Sequence, residues 1–382
     1  MMRKLLISAS ALALMAAPAL ANPGNLSDVY QENTGNVADV DQSLSIWGSQ
    51  SGVNQTGATN SATVIQGDDG GDVGSSFSNN STVDQPGDDN VADVTQDNLN
   101  AQGADDDANS STITQMGLLS SASVIQSGAG STSDITQGGD TQTAFIDQSG
   151  DGTNSSSVNQ DGSSNQVTVL QINSSDTALL SSTIMQVGAG NIADATQFGE
   201  DATSSIDQIG DNHVASVFQD SFGGGSLTST ILQGDDTNSA TVNQNGVMAD
   251  SMIDQTGSFQ LATVSQISSG DAGLFSTISQ SGSDNIADVT QSGDGLVTST
   301  VTQGDTLMNA LVNQDGTDLV SDIFQLTGDS NTASVTQMGA LKTSFVSQDG
   351  SGHSATVNQL SDTAAMSTVT QLGVGNTATV NQ

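Results

Sequence analysis

Apolar residues recur along this chain as one short word, Val or Ile, then any residue, then Gln, from Val29-Tyr30-Gln31 to Val380-Asn381-Gln382. The word occurs 30 times, and only Ala195, two residues before Gln197, departs from Val or Ile. Counting back from each Gln by twos gives the alternation of a strand with one distinct face. The residue four before Gln sorts the words into two alternating kinds. In odd-numbered words it is Ser in all fifteen, as at Ser27, Ser182, Ser229, Ser276 and Ser367. In even-numbered words it is Ala in fourteen of fifteen, as at Ala38, Ala193, Ala240 and Ala287, with Val167 the exception. The unit is therefore an S strand followed by an A strand, repeated fifteen times.

Spacing separates the two connections. From the Gln of an S strand to that of its A strand the step is 11 in fourteen units, as from Gln31 to Gln42, Gln186 to Gln197, Gln233 to Gln244, Gln280 to Gln291 and Gln371 to Gln382; Gln325 to Gln337 is 12. From an A strand to the next S strand it runs from 11 to 19, so every large insertion falls on one edge. None of the 42 acids occupies the positions 0, 2, 4 or 6 before a Gln, whereas Asp39, Asp93, Asp207 and Asp288 stand between them. Buried charge is costly, so the acid-free face is read as the inner one. Six before Gln, A strands carry Asn in nine units, including Asn36, Asn191, Asn238, Asn285 and Asn376. Gln amides on such a face can bond to identical amides above and below. Gly two residues after Gln, as at Gly57, Gly188, Gly210 and Gly257, is expected to permit the tight arc between strands. The pattern predicts an all-β chain, a two-sheet parallel β-solenoid of about 15 coils with two strands per coil and an amyloid-like core, roughly 67 Å long at about 4.8 Å per coil.

The A words, such as Asn36-x-Ala38-x-Val40-x-Gln42, Asn191-x-Ala193-x-Ala195-x-Gln197 and Asn376-x-Ala378-x-Val380-x-Gln382, resemble the second half of the curlin repeat. The step of 11 with a Gly-containing arc is similar too, and the resemblance covers residues 25 to 382. Curlins are the secreted subunits of curli, the functional amyloid of bacterial biofilms. The S words depart from that pattern: curlins carry Ser six before Gln, whereas here Ser stands at four and Asn109, Leu180, Leu227 or Leu274 at six. The resemblance implies an extracellular or cell-surface fibre, a homopolymer joined head to tail, with a secretion channel and a nucleator subunit as further partners.

Composition narrows the function classes. Met1-Met2-Arg3-Lys4, the apolar run Leu5 to Ala17 and Ala19-Leu20-Ala21 predict a signal peptide over 1–21, leaving 22–382 as the repeat domain. The apolar run is shorter than the roughly 20 residues of a spanning helix, so membrane insertion is not expected. Without Arg3 and Lys4 the chain keeps Lys342 as its one basic side chain against 42 acids, a net charge of −41, which excludes nucleic acid and anionic lipid as electrostatic partners. Forty of the acids are Asp, a turn residue where Glu favours helices.

Chemistry-bearing groups are sparse. There is no Cys, and no pairing of nucleophile and base emerges, so no enzyme activity and no cofactor are expected. His213 and His353 both sit six before Gln in A strands, six coils apart, and are read as polar substitutes in the Asn ladder. Clusters at Asp68, Asp69 and Asp72, at Asp88 and Asp89, at Asp105 to Asp107 and at Asp235 and Asp236 match no calcium motif and are read as solvated acidic surface. Of the aromatics, Tyr30 and Trp47 lie near the first coil, and Phe145, Phe218, Phe324 and Phe345 on outward positions, the last two in consecutive S strands where a lateral contact is conceivable. The first strand is expected at about Asn25, leaving almost none of the N-terminal segment curlins use for export, and Gln382 completes a regular A strand, so copies are expected to join end to end. The main expectation is a self-assembling matrix fibre; the alternative is a monomeric acidic solenoid acting as a surface-binding or adhesin module.

Overall fold

The computed structural model describes residues 24–43, 48–67, 79–97, 108–128, 130–150, 152–175, 178–270, 272–361 and 363–382. The signal-peptide reading, Trp47 and the clusters at Asp68, Asp69, Asp72 and Asp105 to Asp107 lie outside them. Among the described residues every element is a strand, 28 in all, and none is a helix.

All pairings are parallel, and each strand pairs with the strand one unit away. Leu26–Gln31 lies on Gln50–Gln55, with Ser27 opposite Ser51 and Gln31 opposite Gln55. Ser239–Gly246 lies between Val214–Ser221 and Leu261–Ser268, with Gln244 opposite Gln219 and Gln266. The word Gln thus meets the word Gln from coil to coil, a parallel β-solenoid of about 14 turns. Because the side-chain period is 2, a slip of one residue would turn the acids inward, which locks the register.

The S and A ladders are not separated by a break in pairing, as two distinct sheets would be. Asn309–Thr327 runs through an A strand, its arc and the next S strand, pairing with both Ile286–Gly293 and Val297–Gln303. Thr332–Ser351 does the same and follows it round the arc, Gly316 opposite Gly339. The connection there is the shortest step, 11 residues, with no insertion to interrupt the ladder. Pairing that continues round these arcs makes one 28-stranded sheet.

Inside, Val and Ile two before Gln and Ala four before Gln form a continuous apolar column from Val53 to Val369. Burying one such Val or Ile stabilises by about 1.5–3 kcal/mol, and each coil adds its share because it touches only its neighbours. A second column, six before Gln in S strands, alternates large and small: Leu180, Ala202, Leu227, Ala249, Leu274, Val297, Leu319. In earlier coils the same column is polar and equally buried, at Asn79, Asn109 and Asn154.

The arcs explain the step of 11 kept in fourteen of fifteen units; in the unit with the step of 12 the left-handed residue, Ser330, stands five after Gln325. The residue four after an S-strand Gln adopts a left-handed conformation even where it is Leu119 (φ 57°), Thr141 (φ 56°), Thr237 (φ 58°) or Phe259 (φ 57°). Such a backbone costs about 1–2 kcal/mol for a residue with a Cβ. An insertion or deletion would move this residue and the strand after it. Glycine two after Gln answers a different need. A Cβ on Gly57 would lie 1.8 Å from the carbonyl oxygen of Gly87, and one on Gly188 2.0 Å from that of Gly210. These glycines are required by the close stacking of arcs, more than by turn freedom.

Candidate assembly site: the glutamine and asparagine ladders

Every word-ending Gln joins its counterpart in the next coil. On the S side the chain of bonds runs from Gln31 Nε2 to Gln55 Oε1 and on without a gap to Gln371; on the A side it runs from Gln42 to Gln382. Distances stay between 2.6 and 3.0 Å. The donor is always in the lower-numbered coil, so both ladders have a direction.

The second N–H of each amide crosses the core. Gln244 Nε2 donates to the carbonyl of Thr228 at 2.8 Å, Gln233 to Val214 at 3.1 Å, Gln280 to Leu261 at 3.1 Å and Gln291 to Phe275 at 2.9 Å. An A-strand Gln thereby clamps the start of the S strand in its own coil, and an S-strand Gln clamps the preceding A strand. Ladder formation along the axis was legible from the repeat; this stitching across it was not. A period-2 pattern says which face a residue is on, not how far its amide reaches.

The Asn column works through the backbone. Asn36 Oδ1 accepts the N–H of Asn60 at 2.9 Å, and its Nδ2 donates to Gly57 O at 2.7 Å. Asn191 donates from Nδ2 to Gly210 O at 2.8 Å and accepts the N–H of His213 at 2.9 Å. Asn238 and Asn285 repeat this toward Gly257 and Gln260, and toward Asp305 and Met308. Asn376 donates to Leu372 O at 2.7 Å. Asn36, Asn191, Asn238 and Asn285 thus each hold both a backbone N–H of the next coil and an arc carbonyl. His213 and His353 occupy the same column and are buried.

Ser182, Ser229 and Ser276 are buried opposite the equally buried Ala193, Ala240 and Ala287. Ser182 Oγ accepts from Ser204 Oγ at 3.2 Å, whereas the hydroxyls of Ser229 and Ser276 have no partner. The Ser column is selected for size; it does not form a bonded ladder like that of Gln.

Lys342 departs from the expected inner face. It stands six before Gln348, in the apolar column after Leu319, and is fully buried. Its Nζ donates to the carbonyl oxygens of Ser361 and Thr363, the latter at 3.0 Å, so the cation is solvated by a connecting segment of the next coil. The acids gave the inner face its signature, and a single base did not register in that pattern.

Several arc acids staple coils together instead of standing free in solvent. Asp88 accepts the N–H of Ala58 at 2.6 Å, Asp140 that of Leu118 at 3.0 Å and Asp211 that of Ala189 at 2.7 Å. On the outer faces, burial raises the carboxyls of Asp147, Asp207, Asp250 and Asp288 above the ordinary value. Asp207, for example, is stacked between Met185 and Leu232. Phe324 and Phe345 pack on each other within the chain, ring centroids 5.6 Å apart. Among the described residues no group of three or more His, Asp or Glu is placed to hold a metal ion.

Residues 328–360 match the family model of the curlin associated repeat. The matched stretch spans the strand Thr332–Ser351 and the strand Ser354–Gln359, one repeat out of the series. No curated protein matches the chain. The resemblance read in the sequence is borne out at this repeat. The adjoining coils share its register, Gln337 on Gln359 and Ala333, Ala355 and Ala378 in one column. A curlin repeat on a parallel solenoid points to a curli-related structural protein at or beyond the cell surface.

Proposed function

We propose that this chain is a secreted structural subunit, not an enzyme, that self-assembles head to tail into extracellular curli-like amyloid fibres serving biofilm matrix and adhesion. The S and A ladders act as two facing layers, two strands per coil, and the partners are further copies of the chain, a secretion channel and a nucleating subunit.

The observation that carries this reading is the direction and continuity of the two Gln ladders. In all steps the amide donates toward the higher-numbered coil, so an open edge facing that way offers donors and an open edge facing the other way offers acceptors. Leu26–Gln31 and Thr377–Asn381 each pair on one side only among the described strands. An open strand edge is a template for pairing, and a heterologous contact that does not close on itself generates a filament. Another copy placed as the next coil satisfies both ladders without any new kind of contact.

The test is seeded growth of the purified mature chain, followed by electron microscopy. Unbranched fibres and removal of the lag by sonicated fibre ends are expected. A chain that stays folded and monomeric over days at high concentration, with seeds present, refutes assembly and leaves the monomeric acidic solenoid, a surface-binding or adhesin module, in its place.

A further inference from the structure

Nine coils place Asn at the head of the A strand, and coils 8 and 14 place His there instead. The geometry of the two His residues is the same. The N–H of His213 donates to Asn191 Oδ1 and that of His353 to Asn331 Oδ1, both at 2.9 Å. In the other direction His213 Nδ1 lies 3.2 Å from the backbone N of Asn238, and His353 Nδ1 lies 3.2 Å from that of Asn376. A backbone N–H only donates, so each Nδ1 is an acceptor without a proton. Nε2 carries the hydrogen and donates to a carbonyl four residues back, Ile209 at 3.3 Å and Asp349 at 3.2 Å. Only the neutral Nε2–H tautomer satisfies both contacts.

We infer that His213 makes the step from coil 8 to coil 9 acid-labile, while the steps held by Asn are indifferent to mild acid. A proton on the Nδ1 of His213 would set N–H against N–H at 3.2 Å, and the bond that the imidazole accepts from the backbone N–H of Asn238 would be lost. An Asn carbonyl in the same place has no such second state.

The surroundings set the sign. The charged groups facing His213 are Asp211 on its own arc and Asp235 and Asp236 on the arc of the next coil. Burial pushes the His213 imidazole below its ordinary value, and the carbonyls of Ile209 and Asp235 and the carboxylates of Asp236 and Asp211 work against this with less effect. A base depressed in the folded state contributes stability that is present above its unfolded value of about 6.5 and is lost as pH falls below it. The device belongs to the solenoid itself, in a single chain or in a fibre.

Hydrogen exchange on the full chain at about pH 7.5 and about pH 5 tests this, read as protection relative to the intrinsic rate. In the wild type, protection at Asn238 should fall about tenfold or more at the lower pH, and at Asn191, which donates to Asn165 Oδ1, it should not. His213→Asn installs the residue other coils use and should abolish the fall at Asn238. An equal fall in wild type and variant, or none in the wild type, overturns the inference. Imidazole nitrogen chemical shifts of the wild type provide an independent reading: Nε2–H neutral rings at pH 7.5 are required, and Nδ1–H or charged rings contradict it.

Discussion

Gln244→Glu changes one atom of the ladder and reverses its hydrogen-bonding sense. Gln244 is fully buried in the ninth coil. Its Oε1 accepts from Gln219 at 2.8 Å, and its Nε2 donates to Gln266 Oε1 and Thr228 O, each at 2.8 Å, with Ser251 Oγ at 3.4 Å. A glutamate of the same length keeps the first bond and turns the other two into carboxylate oxygen against oxygen. Each buried acceptor left without a donor costs about 1–3 kcal/mol, and no cation is near, so a loss of about 4 kcal/mol at pH 7 is expected. The carboxyl should respond by titrating upward, since burial disfavours its charge. An acid whose folded value is raised destabilises above that value and is relieved as pH falls through it; protonated Glu can donate once, recovering about half of the loss. Asn243→Asp is the control: Asn243 is exposed between Phe218 and Ser265, and its change should stay within about 0.5 kcal/mol. Urea titration of the full chain by circular dichroism at pH 7 and pH 5 reads both. Equal losses for the two variants, or a Gln244→Glu loss that acid does not relieve, would refute the assignment of the inner face and of the Gln bonding.

Gly188→Ala should lose about 3 kcal/mol or more, because its methyl would lie 2.0 Å from Gly210 O at a φ of 121°, whereas Gly52→Ala, with no atom within 4 Å of its Cβ, should be neutral or slightly stabilising in the same titration. Asp207→Asn should stabilise at pH 7, since burial raises this carboxyl and one of its oxygens is buried without a partner; the advantage should shrink as pH falls through the raised value, and a constant advantage at all pH would exclude ionisation as the cause. With the signal peptide removed, each added subunit would bring −41 toward a like-charged end, so fibre growth followed by light scattering should accelerate from low to moderate salt. A flat rate would show that the acids do not control association.

The strands, their faces and their register were legible because a period-2 word repeated 30 times leaves little freedom: Gln on Gln and acids outward fix both. The Asn column was legible for the same reason. What escaped the sequence depends on distance between coils. Gly57 and Gly188 read as turn residues, yet it is the carbonyl 1.8–2.0 Å from an imagined Cβ that excludes anything larger. The left-handed residue four after Gln is Thr, Leu, Phe, Asn, Asp, Ser or Gly in different coils, so composition gave no sign of it. Lys342 escaped because its partners are backbone carbonyls of a connecting segment, which no residue type announces. Asp88 read as solvated charge because an exposed carboxylate and one that caps a neighbouring coil's N–H share the same arc position.

The claim on which the rest depends is that one chain supplies many successive rungs, and Tyr30, the single tyrosine, tests it directly. With a carbonyl ¹³C label at Tyr30 alone, dipolar recoupling in the assembled fibre measures the distance between labels. A solenoid joined end to end separates them by a whole subunit, about 70 Å at about 4.8 Å per coil, and no coupling should be detected. Coupling that corresponds to about 4.8 Å would mean that each chain lies flat as a single layer with identical residues stacked between chains, and would contradict the account.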